Sequence, residues 1–154
     1  MWFSGEYLDR IGPTEDCGTV KGSCGLEFWE AFGAAECEPA KEGGILTAIW
    51  NLSGAYETGV SFSLRQIPVK QETIEICERF ELNPYRLYSA GCYLLAAENG
   101  GRMAEELALM QIPARVIGRV DRGIARRMQV QEDWGFLELP QPDEIWKVIP
   151  DFQP

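Results

Sequence analysis

The sequence predicts an α/β (α+β) fold, a mixed β-sheet covered by helices, and three observations predict it. Apolar residues recur at helical spacing in some segments and alternate with polar ones in others. The two kinds of segment follow one another along the chain, the pattern of a sheet with helices packed on it. Near the end, Asp121-Arg122-Gly123 separates two extended segments and reads as a hairpin turn, so the sheet should contain antiparallel as well as parallel neighbours. A chain of 154 residues is long enough for one domain that buries about 70% of its unfolded surface without staples.

Residues 1–25 lack sustained periodicity and are rich in Gly, Asp and Cys, so they read as an irregular arm or a domain remnant; residues 26–150 are the domain. Residues 26–32 are expected to be helical, with Gly33 as the C-terminal cap, and residues 34–38 to form a short buried strand. Ile45, Ile49, Leu52 and Tyr56 then form one apolar stripe, which predicts a helix over 44–57 that stops at Gly59. Val60, Phe62 and Leu64 alternate with polar residues and predict a half-buried strand, interrupted by Pro68. A helix over 71–80 turns Ile74, Cys77 and Phe80 inward and ends at Asn83-Pro84. The apolar run 92–97 reads as a central strand covered on both faces. Asn99-Gly100-Gly101 breaks the chain before a helix over 102–110 with Met103, Leu107 and Met110 inward. Residues 114–120 and 124–130 are the two strands of the hairpin, 136–139 is a last short strand, and 142–148 forms a terminal helical turn.

The chain contains no histidine, which excludes Ser-His-Asp and Cys-His nucleophile activation, His-ligated zinc and an imidazole base within it. Any base must be a carboxylate, Lys, Tyr or Cys. A net charge of −10 argues against nucleic acid or anionic lipid as a partner. Arg119, Arg122, Arg126 and Arg127 are locally basic, but strand and turn spacing spreads them in different directions. No leader or spanning segment is recognised, so no membrane is expected and the location reads as cytoplasmic. Five cysteines without a C-x-x-C pair indicate reduced thiols: Cys77 and Cys92 read as core residues, and Cys17 with Cys24 could pair or bind a metal.

The strongest functional candidate is the turn Glu42-Gly43-Gly44, which opens directly into the stripe-bearing helix. The first N–H groups of a helix have no intrahelical partners and carry partial positive charge, so the turn can receive an anion such as a phosphate-bearing small molecule. Lys41 and the flanking loop with Ser89 and Gly91 would assist, while the Glu42 carboxylate would limit affinity. The alternative is that Gly43 and Gly44 only permit a tight strand-to-helix turn.

The order strand, Glu42-Gly43-Gly44, helix, short strand, Ile67-Pro68-Val69, helix, Asn83-Pro84-Tyr85-Arg86-Leu87, Ser89-Ala90-Gly91 and apolar strand resembles a known family. It is similar to the C-terminal domain of aminoimidazole-ribonucleotide (AIR) synthase-related proteins, relatives of hydrogenase maturation factors and selenophosphate synthetase. Ile117-Gly118-Arg119-Val120 and the tail from Leu139 to Val148 continue the resemblance, which covers roughly 26–148. It implies an α/β sandwich that follows an ATP-binding domain and closes over its phosphates. Three departures bear on function. Glu38-Pro39-Ala40-Lys41 stands where family members commonly carry His-Asp-x-Thr; residues 1–25 are too few to build the nucleotide domain; and the chain ends Asp151-Phe152-Gln153-Pro154, without the terminal cysteine of the carbamoyl-carrying maturation protein.

Two readings follow. In the first, the chain is a stand-alone binding or regulatory domain, not catalytic alone and holding no cofactor. In the second, it is one subunit of a split ATP-dependent enzyme whose ATP-binding half is another protein. Homo-oligomerisation is expected, because the surface that the absent domain would cover should stay partly apolar; the helix 44–57 with Trp50 is the candidate contact.

Overall fold

The first described helix, α1 (Leu26–Glu30), is capped by Ala31 rather than by the expected Gly33, which at φ +89° turns the chain into β1 (Ala34–Ala40). The computed structural model describes residues 25–153; the arm up to residue 24 and the question of Cys17 with Cys24 lie outside them. β1 pairs antiparallel with β3 (Cys92–Ala97), Ala40 opposite Cys92 and Ala34 opposite Ala97. This two-stranded sheet packs with α1 and α4 (Gly100–Leu109) around Trp29, Ala34, Met103 and Leu107.

A second, four-stranded sheet has the order β4–β2–β5–β6, with β2 at Gly59–Ser63, β4 at Gly118–Asp121, β5 at Arg126–Val130 and β6 at Asp133–Phe136. It is mixed: β2 runs antiparallel to β4 and parallel to β5, and β6 returns antiparallel to β5. Between the two sheets lies α2 (Gly44–Ala55). Its Ile45, Leu46, Ala48 and Ile49 form one core with Ala40, Phe62, Ile67 and Leu137, flanked by Leu94 and Met128. The expected mixed α/β fold is the one observed. The remaining helix, α3 (Gln71–Phe80), has the predicted bounds and buries Cys77.

Several local expectations are corrected. The buried stripe of α2 runs through Ile45, Ala48, Ile49 and Ser53, and the helix ends before Tyr56, which is exposed. Phe80 and Met110 sit at helix ends where no second layer reaches them, and both are exposed. Among the described residues β3 is not a central strand: it has one neighbour there, its residues are half-buried at most, and Cys92 at its tip is exposed. The strands on either side of Asp121-Arg122-Gly123 do not pair, because β2 is inserted between them; the hairpin of this sheet is β5–β6, turning at Gln131 with φ +57°. The last strand is Asp133–Phe136 rather than 136–139. Trp50 is half-buried against the core, and the Arg126 guanidinium lies 4.1 Å from its ring centroid while donating to Ser53 Oγ at 2.6 Å. That guanidinium covers one face of the Trp50 ring, which stays partly exposed.

Candidate functional site

Three chain segments converge at the start of α2. The first is the glycine turn itself. Gly43 and Gly44 have φ of +75° and +66°, a left-handed conformation that glycine adopts without steric cost. A Cβ on Gly44 would stand 2.5 Å from Tyr85 O and 2.7 Å from Leu87 O, so the turn is pressed against the carbonyls of the loop after α3. That loop is the second segment. Asn83 accepts from the Tyr85 amide at 3.0 Å, Pro84 fixes the first residue, and the result is one tight helical turn, Pro84–Arg86.

The third segment is the tail. Asp143 opens a short helical turn, Glu144–Lys147, by accepting from the Ile145 amide at 2.9 Å through Oδ1. Its other oxygen, Oδ2, accepts from the Gly43 amide at 2.7 Å, and the residue is only 3% exposed. The amide expected to meet an external anion therefore meets an internal one. The Gly44 amide donates to Lys41 O at 3.0 Å. Glu144 ties the tail to the loop, its Oε2 accepting from the Asn83 amide at 3.3 Å and from Lys147 Nζ at 2.5 Å. Burial pushes the Glu144 carboxyl up, but the Lys147 and Asn83 hydrogen bonds and the Arg86 charge outweigh it and hold it below the usual range.

The loop and the tail enclose an open groove of about 820 Å³, lined by Arg86, Glu138, Glu144, Trp146 and Lys147 among others. Arg86 Nη2 donates to Glu138 Oε2 at 3.4 Å. A much smaller hollow beside it is bounded by Glu42, Tyr88, Asp143 and Phe152. Of the residues singled out from the sequence, Glu42, Gly43 and Gly44 lie at this convergence. Lys41 is exposed and reaches it through its carbonyl; the Ser89 hydroxyl is engaged within its own loop, donating to Leu87 O at 2.7 Å; and Gly91 is an exposed turn residue at φ +81°. Sequence reasoning missed Arg86, Glu138, Asp143, Glu144 and Lys147 as parts of one site. Arg86, Asp143, Glu144 and Lys147 lie in segments that carried the family resemblance, and Asp143 also had the signal of an Asp at a helix start, which accounts for one of its two oxygens.

No family profile matches the sequence, and no curated protein does. Solved structures do match. E. coli HypE, a hydrogenase maturation protein, superposes with a TM-score of 0.59 at 24% identity, over 73% of this chain and 37% of that one. HypE in complex with ATP gives 0.58 at 21%, over 71% and 37%. The HypE–HypF complex gives 0.56 at 19%, over 68% and 36%. This is a HypE-like fold. The chain thus spans little more than a third of the HypE chains that it matches, and at these identities the likeness is one of fold.

One of those HypE structures holds ATP, and the convergence site does not fit a nucleotide's phosphates. The Gly43 amide is already engaged by a carboxylate, and Glu138, Asp143 and Glu144 outnumber Arg86 and Lys147 around the groove. No helix among the described residues is long and apolar enough to cross a membrane.

Proposed function

We propose that this HypE-like domain acts by binding rather than by catalysis. The supporting observation is the buried bond from the Gly43 amide to Asp143: the turn best suited to hold a transferring phosphate is closed by the chain's own tail. The absence of histidine points the same way, since the remaining bases are carboxylates, Lys, Tyr and Cys. In this reading the Glu42-Gly43-Gly44 turn, with Lys41, Ser89 and Gly91 in the flanking segments, receives an outside anion only when Asp143 yields its place.

Calorimetry of the full chain with Mg-ATP tests this, and no heat of binding is expected. A dissociation constant below about 100 μM, equivalent to roughly 5.5 kcal/mol, would refute it. Such a result would favour the second reading, one half of an ATP-dependent enzyme completed by another polypeptide, which draws on the ATP-bound HypE covered here over 37% of its length. Self-association belongs to the first reading. Trp134 and Phe136 are exposed on the edge strand β6, where a second copy could add its own β6 to the sheet.

A further inference from the structure

Arg86 is oddly provided for. Its side chain is only 10% exposed, yet its one side-chain hydrogen bond among the described residues is a single contact of 3.4 Å to Glu138, itself 77% exposed, with Glu144 close enough to feel its charge. A guanidinium carries five N–H donors in a rigid fork that suits a carboxylate bidentately, and charge-assisted bonds of that kind are usually about 2.7–2.9 Å long. Glu138 delivers neither the geometry nor the distance. None of its nitrogens is both buried and unpaired, so the fork is open to the groove, and a guanidinium whose one hydrogen-bonded carboxylate is long and water-exposed can exchange it for a better-placed one. The side chain opens on the groove, whose volume of about 820 Å³ falls in the range of roughly 300–1,000 Å³ usual for small-ligand sites.

The charges around Arg86 define what would suit it. Lys147 is already neutralised by Glu144 at 2.5 Å, and Glu138 and Asp143 add further negative charge. A phosphate dianion or a polyphosphate would meet three carboxylates. A single carboxylate carried beside a cationic group would instead place its anion on Arg86 and its cation near Glu144 or the displaced Glu138, with Trp146 as an apolar wall.

We propose that this groove is a carboxylate-binding site anchored on Arg86, taking an amino acid or the C-terminus of a peptide with a basic group next to it. The proposal rests on the binding reading above and gives it a ligand class. Glu138 acts as an internal competitor that the ligand carboxylate displaces.

The test is titration of the isotope-labelled full chain, followed at the Arg86 Nε–H and the Trp146 indole N–H. The probes are L-arginine, the dipeptide Gly-Arg, Gly-Arg with an amidated C-terminus, acetate and inorganic phosphate. Saturable shifts at both groups with L-arginine or Gly-Arg are expected, the stronger of the two telling a free amino acid from a peptide end. Amidation should weaken Gly-Arg at least about tenfold, the scale of a lost charge-assisted pair. Glu138→Gln, at an exposed position, should tighten acetate several-fold, and Arg86→Gln should abolish the response. Because Arg86→Gln removes a buried group and can cost folding, the Glu138→Gln result decides independently. The proposal is overturned by absence of shifts up to about 20 mM in both wild type and Glu138→Gln, by phosphate binding as tightly as Gly-Arg, or by acetate binding unchanged in Glu138→Gln. None of these results alters the Mg-ATP measurement, so failure of this site and failure of the binding reading are separable.

Discussion

Asp143→Ala isolates the contact that closes the glycine turn. The carboxylate accepts two backbone amides, Gly43 at 2.7 Å and Ile145 at 2.9 Å, and is almost wholly buried. Removing it leaves the buried Gly43 N–H without a partner, which costs about 1.5–3 kcal/mol for a bond to a charged group. Loss of the cap on the Glu144–Lys147 turn adds about 1 kcal/mol. The total of roughly 2.5–4 kcal/mol corresponds, at about 3–4 °C per kcal/mol for a domain of this size, to a melting temperature lower by about 10 °C. Calorimetry and urea titration measure it, and native-state hydrogen exchange locates it, since the Gly43 amide should lose its protection in the variant. A melting temperature within about 3 °C of wild type, with Gly43 still protected, would refute the reasoning that this bond is a main attachment of the tail.

Gly44→Ala should cost at least about 1 kcal/mol more than Gly43→Ala, because both positions are left-handed but a Cβ at Gly44 meets backbone carbonyls, while the nearest atom to one at Gly43 is the Thr47 hydroxyl, which a rotamer change moves aside; equal urea midpoints would contradict this. Leu107→Ala empties a fully buried position in the core under β1 and β3 and should cost about 2–5 kcal/mol by denaturant titration. Acid stability carries a sign that can be worked out. The Ser61 hydroxyl holds the Asp121 carboxyl below its usual range against partial desolvation, helped by Arg119. A depressed carboxyl contributes stability above its unfolded value of about 4 and loses it as pH falls through the folded value. Ser61→Ala should therefore be less stable than wild type near neutral pH, and the gap should narrow below about pH 4; a gap that widens in acid would be the wrong sign. Light scattering should show association at micromolar concentration that Phe136→Glu reverses; a purely monomeric wild type would remove β6 as a contact.

Much of the fold was legible because local chemistry settled it. The bounds of α3 follow from its period and the Asn83-Pro84 stop, and the core residues Ile45, Ile49, Phe62, Cys77, Met103 and Leu107 follow from spacing alone. What could not be read was partnership. Asp121-Arg122-Gly123 has turn chemistry, but nothing in it reports that β2 separates the strands it joins. Phe80 and Met110 have the right period and the wrong position, at helix ends with no layer above them. The site shows the same division. Gly43 and Gly44 were visible as a special turn, whereas the identity of the anion on the Gly43 amide depends on a residue one hundred positions away.

The insertion of β2 between β4 and β5 also sets an order of events during synthesis. β2 leaves the ribosome as residues 59–63, whereas both of its neighbours lie within residues 118–130. For all of that interval Phe62 and both backbone edges of β2 lack the partners that will cover them. The first sheet, closed by β3 at residue 97, is complete before the second can begin. Folding is thus paced by a long-range closure whose entropic cost comes before its reward, and the emerging chain must stay soluble with its future central strand uncovered.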